Sequence, residues 1–96
     1  MTYKLVRHKH FKDDWERLPA SVQQQLKNKL AKIIKNPHIP KNRLGGELSS
    51  CYKIKLLKAG VRLVYQVNDN EVVILLVTVG KREDSAVYIE AQSRLT

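Results

Sequence analysis

The spacing of apolar positions divides the chain into seven elements. Tyr3 and Leu5 alternate with Lys4 and are followed by Val6, so Thr2 to Arg7 reads as a short strand at the edge or end of a sheet. Phe11, Trp15 and Leu18 then recur at i, i+4 and i+7, which gives a short helix one apolar face, and Pro19 closes it. Ser21 is the expected N-cap of a second helix. There Val22, Leu26, Leu30, Ile33 and Ile34 form the buried stripe, and Lys27, Lys29, Lys32 and Lys35 the basic exterior. The prolines of Asn36-Pro37-His38-Ile39-Pro40 end that helix, and Gly45-Gly46 marks the longest connection, a hinge rather than a phosphate loop because no Lys-Ser/Thr follows.

From Tyr52 to Val67 the period becomes two. Tyr52, Ile54 and Leu56 fall on one side of a strand, and Lys53 and Lys55 on the other. With Lys58-Ala59 as a two-residue turn and Val61 to Val67 as the return strand, Lys55 lies across from Arg62 and Lys53 across from Val64. Like charges facing each other across strands cost roughly 0.2–1 kcal/mol. Their convergence implies that an anion sits there, and phosphate is the obvious candidate. Asn68-Asp69-Asn70 is turn chemistry, and Val72 to Val79 is the β-branched run of a central strand. Gly80-Lys81-Arg82 leaves that strand, and Asp84 or Ser85 caps a last helix carrying Val87, Ala91 and Leu95. The fold class is α+β. A single small domain over 1–96 has an antiparallel sheet, made of the first strand plus a three-strand meander, packed against two N-terminal helices, with a short C-terminal helix.

Charge narrows the partners. Eighteen Lys and Arg against 9 Asp and Glu leave +9 on 96 residues, which favours a polyanion such as RNA, DNA, an acidic membrane or an acidic protein. Cys51 is the only cysteine, no C-x-x-C spacing exists, and no apolar run is long enough to span a bilayer, so a cytoplasmic protein is expected. The N-terminus has no continuous apolar stretch or cleavage site of a signal peptide. Cys51, without a neighbouring histidine, reads as packing. His8, His10 and His38 have no partner at zinc-ligand spacing, so neither a metal nor a cofactor is expected.

Lys53, Lys55, Arg62, Arg82 and Tyr88 are the side chains that converge. Such a cluster can bind phosphate passively. Cleavage of RNA would further need a base for the 2′-OH, an acid for the 5′-oxygen and positive charge on the phosphoryl oxygens. Crowding by other cations disfavours the ammonium form of a lysine and so suits it to the base's role. An arginine stays charged, which makes it an awkward acid.

These residues carry a resemblance. Tyr52-Lys53-Ile54-Lys55-Leu56, Gly60 to Val67, Val79-Gly80-Lys81-Arg82-Glu83 and Val87-Tyr88 resemble, in order and spacing, the RelE toxins of the bacterial RelE/ParE toxin–antitoxin superfamily. Trp15, Leu18, Leu26 to Leu30, Asn42, Leu44 and Gly46 fit the same pattern over nearly the whole chain. The resemblance implies a ribosome-dependent endoribonuclease that enters the ribosomal A site, beside 16S rRNA, and cuts mRNA there with the 2′-OH as nucleophile. It implies that Lys53 and Lys55 act on the 2′-OH and phosphate, that Arg62 stabilises the phosphate, that Arg82 protonates the leaving group and that Tyr88 stacks on a base. Which lysine is the base stays open. Lys27, Lys29, Lys32, Arg43, Lys58 and Lys81 are the expected contacts to RNA and ribosome. The implied partner is a RelB-like antitoxin that displaces the last helix, with operator DNA bound only through their complex and no membrane involved. Two departures stand out: Gly45 replaces a loop arginine, with Arg43 nearby, and Glu47-Leu48-Ser49-Ser50 is one residue longer than usual. A ParE-like gyrase inhibitor and a non-catalytic RNA-binding module are the alternatives.

Overall fold

In the computed structural model, which describes residues 2–81 and 86–96, the elements follow the predicted order: β1 (Lys4–Arg7), α1 (Phe11–Glu16), α2 (Ala20–Ile33), β2 (Cys51–Leu56), β3 (Val61–Asn68), β4 (Val73–Lys81) and α3 (Ala86–Leu95). The long connection after α2 holds two short 3-10 turns, Pro40–Asn42 and Gly46–Leu48. The strands lie in the order β1-β4-β3-β2. The meander β2-β3-β4 is antiparallel as expected, but β1 runs parallel to β4, pairing Lys4 with Val73 and Arg7 with Leu76. The sheet is therefore mixed, not antiparallel throughout. Side-chain period reports which face a residue takes and is blind to strand direction. Direction is set by connectivity: α1 and α2 carry the chain from the β1 edge across to the opposite edge, the long crossover that a parallel arrangement needs.

Each face of the sheet has its own cover. Phe11, Val22, Leu26, Leu30 and Ile33 from α1 and α2 pack on Tyr52, Ile54, Leu56, Leu63, Tyr65 and Ile74. On the other face Val87 and Ala91 of α3 pack on Cys51, Val64 and Val77, with Leu48 beside them and Tyr88 and Leu95 at the margin. The stripe read from α2 is the buried one. Its start differs: Pro19, not Ser21, is the N-cap, and it has no side chain to offer the first amides. The side chain of Gln23 instead donates to the carbonyls of Trp15 (2.8 Å) and Leu18 (3.3 Å), so the acceptors left over at the end of α1 are satisfied by the start of α2. Tyr65 anchors the following loop. Its buried hydroxyl donates to the Pro37 carbonyl at 2.9 Å, and burial pushes its pKa up, which keeps the proton that this bond needs.

Three local features set the geometry of the strands. The β2-β3 connection is a four-residue loop, Leu57 to Gly60, rather than a two-residue turn, because Leu56 and Val61 form the last pair. Gly60 sits at φ +66 and donates to the Leu57 carbonyl, a conformation that glycine adopts without steric penalty. Val72 has φ 56, a strained setting for a β-branched residue, and β4 begins one residue later than predicted. That backbone turn aims the Val72 carbonyl at the Lys4 amide, 3.0 Å away, and opens the β1-β4 ladder. The third feature is a bulge: Val64 pairs with Thr78 and Tyr65 with Leu76, so Val77 is the extra residue on β4.

Arg94 closes that bulge. Its Nη1 donates to the Val77 carbonyl (2.8 Å) and to Asp14 Oδ2 (2.6 Å), and Nη2 reaches Asp14 Oδ1 at 3.3 Å. Thr78 donates to the same carboxylate, and the two charged side chains are only 9% and 12% exposed. Burial acts against the charge of Arg94, while Asp14 and then Glu90 more than offset it. Removing one member leaves a buried charge without its partner. We expect Asp14→Asn and Arg94→Met each to lose about 3 kcal/mol of stability in urea unfolding, and the double variant to lose less than the sum. Val72→Asn should gain about 1 kcal/mol, because asparagine tolerates positive φ, and thermal unfolding reads that as a higher Tm.

Candidate active site

The alternation predicted for β2 and β3 is present, and so is its register: Lys55 pairs with Arg62 and Lys53 with Val64. Because Tyr52, Ile54 and Leu56 are committed to the α1/α2 core, Lys53 and Lys55 are delivered to the face that α3 covers only in part. Lys53 is half-buried and Lys55 exposed. Arg62 is half-buried under the edge of α3. Its Nη1 donates to the Tyr88 hydroxyl at 3.1 Å, and its Cζ lies 5.5 Å from the Tyr88 ring centroid. The cation is thus held against an aromatic face by both the quadrupole and a hydrogen bond.

One detail of Arg62 bears on chemistry. Its Nε is buried and has no acceptor among the described residues. A buried charged donor left without an acceptor is costly, and an anionic oxygen is the partner that best relieves it. Tyr88, accepting from Arg62, keeps its own hydroxyl proton to donate. Lys55, Arg62 and Tyr88 therefore form a cationic, proton-bearing face that suits a phosphodiester whose non-bridging oxygens gain charge during reaction.

Arg82 lies outside the described residues, as do the expected helix caps Asp84 and Ser85. Lys81, immediately before, ends β4 as an exposed residue paired with Val61 and borders a groove with Asp14, Arg17 and Leu18 on the α1 side of the sheet. The six residues expected to contact RNA or ribosome do not share one surface. Lys27 flanks a small hollow beside Arg7 and Trp15, Lys29 and Lys32 line a cleft on the other flank of α2, and Lys58 is in the exposed β2-β3 loop. Arg43 is turned to its own loop: Nε donates to the Ser49 carbonyl at 2.8 Å, and the residue bridges to Tyr52. A Cβ at Gly45 would meet nothing within 4 Å, so a side chain could leave the backbone there without a clash.

Sequence reading passed over two groups. Asp69 accepts from the Tyr3 hydroxyl at 2.7 Å and pairs with His38 at 3.0 Å, which holds its carboxyl below the usual range, the Tyr3 bond being the larger cause. Lys41 follows Pro40 with no periodic signal, yet it lines the same cleft as Lys29, Lys32 and Lys55.

Known proteins share this sequence pattern and fold. The sequence profile described as "ParE-like toxin of type II bacterial toxin-antitoxin system" matches residues 5–90. The chain is 49% identical over 82 residues to the mRNA interferase toxin RelE of Escherichia coli K12, covering 85% of each protein. It is 45% identical over 95 residues to a putative RelE-like toxin protein of E. coli, covering 99% of each. Its fold superimposes on a mutant of E. coli RelE in the free state with a TM-score of 0.90, at 44% identity and full coverage of both chains. A complex of that mutant with a peptide of the antitoxin RelB matches with a TM-score of 0.82, at 45% identity and 95% coverage of both chains. The chain belongs to the RelE toxins, within the ParE-like toxin family of bacterial type II toxin–antitoxin systems.

Proposed function

We propose that this toxin is an endoribonuclease that cuts mRNA in the ribosomal A site and so stops translation, and that a RelB-like antitoxin neutralises it in the cytoplasm. The observation that carries the reading is the juxtaposition of Lys55, Arg62 and Tyr88 on one face, with the Arg62 Nε donor still to be satisfied. It is supported by the resemblance to a protein named an mRNA interferase. In the reaction the 2′-oxygen attacks the adjacent phosphorus as its proton passes to a strand lysine, Lys53 or Lys55. The bond from phosphorus to the 5′-oxygen then breaks, leaving a 2′,3′-cyclic phosphate and a 5′-hydroxyl. Arg62 stabilises the charge that builds on the phosphoryl oxygens, Tyr88 stacks on and orients a base, and Arg82 is assigned to the leaving oxygen. No histidine or carboxylate belongs to this set, so much of the rate depends on the ribosome holding the scissile bond in line.

The antitoxin reading uses the same face. RelB has been solved in complex with E. coli RelE. A like partner of this chain would compete for the ground under α3 and break the Arg62–Tyr88 contact. No helix among the described residues is long and apolar enough to cross a membrane.

Primer extension on ribosomes programmed with a defined A-site codon tests the reading. The native toxin should cut within that codon and leave the same mRNA intact in free solution. Arg62→Ala should lower kcat by about 10²–10³-fold, the usual effect of losing a charge-stabilising donor, and Arg82→Ala should also fall steeply. Undiminished cleavage by Arg82→Ala would remove Arg82 from the mechanism, and no cleavage under any condition would end the nuclease reading. For the antitoxin, amide exchange over Ala86–Leu95 should speed up when a RelB-like peptide binds; unchanged exchange there would count against displacement of α3.

A further inference from the structure

A cleft of about 380 Å³ lies on the α2 side of the sheet, between that helix, the 3-10 turn Pro40–Asn42 and the β2 edge. Its rim is built from four lysines of three different elements. Lys29 and Lys32 are three residues apart on α2 and so share a helix face, Lys41 comes from the 3-10 turn, and Lys55 from β2. Its floor is Ile33, Ile39 and Ile54. Among the described residues no carboxylate lines it, and the chain has no acidic residue between Glu16 and Glu47. Lys29, Lys32 and Lys41 make no ion pair or hydrogen bond with the described residues. An apolar floor under a cationic rim fits a nucleotide whose base is unpaired: the base lies on the isoleucines and the backbone phosphates on the lysines. A duplex, with its bases stacked inside, would leave that floor empty.

Lys55 connects this cleft to the catalytic face. It pairs with Arg62 on β3, and it also lines the cleft, because β2 is the outer strand and its side chains reach the sheet edge from either side. We propose that the cleft is a second RNA subsite, in which a nucleotide of the same single strand that crosses Lys53, Arg62 and Tyr88 binds after the strand turns round the β2 edge at Lys55. This rests on the nuclease reading of that face and adds the course of the substrate strand beyond it. It also divides the basic residues by task. Lys29, Lys32 and Lys41 hold the substrate strand, whereas Lys27, on the other flank of α2, lies off its path.

Amide NMR titration of the isotope-labelled toxin with RNA carrying 2′-O-methyl sugars, which cannot be cut, tests this. A trinucleotide should shift Lys53, Arg62 and Tyr88 alone, and a nonanucleotide should shift Ile33, Ile39 and Lys41 as well. Lys29→Gln with Lys41→Gln, its fold checked by the same spectra, should weaken the nonanucleotide roughly tenfold at low salt and reduce its salt slope by about 1.4, the effect of two lost single-strand phosphate contacts. The ratio of nonanucleotide to trinucleotide affinity should fall accordingly. If the nonanucleotide shifts the catalytic face but leaves Ile33, Ile39 and Lys41 unmoved, the subsite is overturned and the nuclease reading stands. If the double variant loses affinity for vacant ribosomes as steeply as for programmed ones, the cleft serves ribosomal RNA and the proposal fails. If neither RNA moves Lys53, Arg62 or Tyr88, the catalytic reading falls first and the subsite with it.

Discussion

β4 is hydrogen-bonded along both edges for only part of its length, and the arrangement of the Arg62–Tyr88 face depends on what happens where β1 stops. Beyond Leu76 the outer edge of β4 has no strand beside it among the described residues, and at that point Val77 bulges. A buried carbonyl without a donor would be costly there. Arg94 supplies the donor from α3, and Asp14 of α1 supplies the countercharge. One guanidinium thus ties together a helix on each face of the sheet and the irregular strand between them. Tyr88 rides on the helix so fastened, and its distance to Arg62 is inherited from this anchor two turns away.

The face itself works against folding. Lys55 opposite Arg62 is a repulsive pair, and the buried Arg62 Nε is a donor held in reserve. Both costs are met by the apolar side of the same strands, where Ile54, Leu56, Val61 and Leu63 are almost wholly buried. The division of labour is strict because a strand has two faces. Stability is collected on one, and unfavourable electrostatics are tolerated on the other.

Most of the fold was legible because periodicity was unambiguous where burial was one-sided: the α2 stripe, the β2-β3 register and the spacing of Val87, Ala91 and Leu95 all follow from side chains that must face a core. Strand direction was not, because β1 alternates identically whether it runs parallel or antiparallel to β4. The α2 cap was misplaced because Ser21 is the better capping residue in isolation, whereas the helix starts at Ala20, directly after the extended Pro19. The shared facing of Lys53, Lys55 and Arg62 was legible through alternation, whereas the roles proposed for them and for Tyr88 come from resemblance. The Asp14–Arg94 pair was not, since eighty positions of chain separate its members and neither stands in a motif. Lys41 was hidden in the same way, inside a turn that has no period to read.

The four-residue loop Leu57 to Gly60 has an evolutionary consequence. Because facing alternates residue by residue, any slip of β2 against β3 by one position would bury the lysines and expose Ile54 and Leu56. Insertions and deletions that reach this hairpin therefore have to be absorbed within the loop or arrive in pairs. Its members Leu57, Lys58 and Ala59 are exposed, so the fold sets little constraint on their number, while Gly60 keeps the exit angle. The loop acts as a buffer that can absorb such changes without moving Lys53, Lys55 or Arg62 to the other face of the sheet.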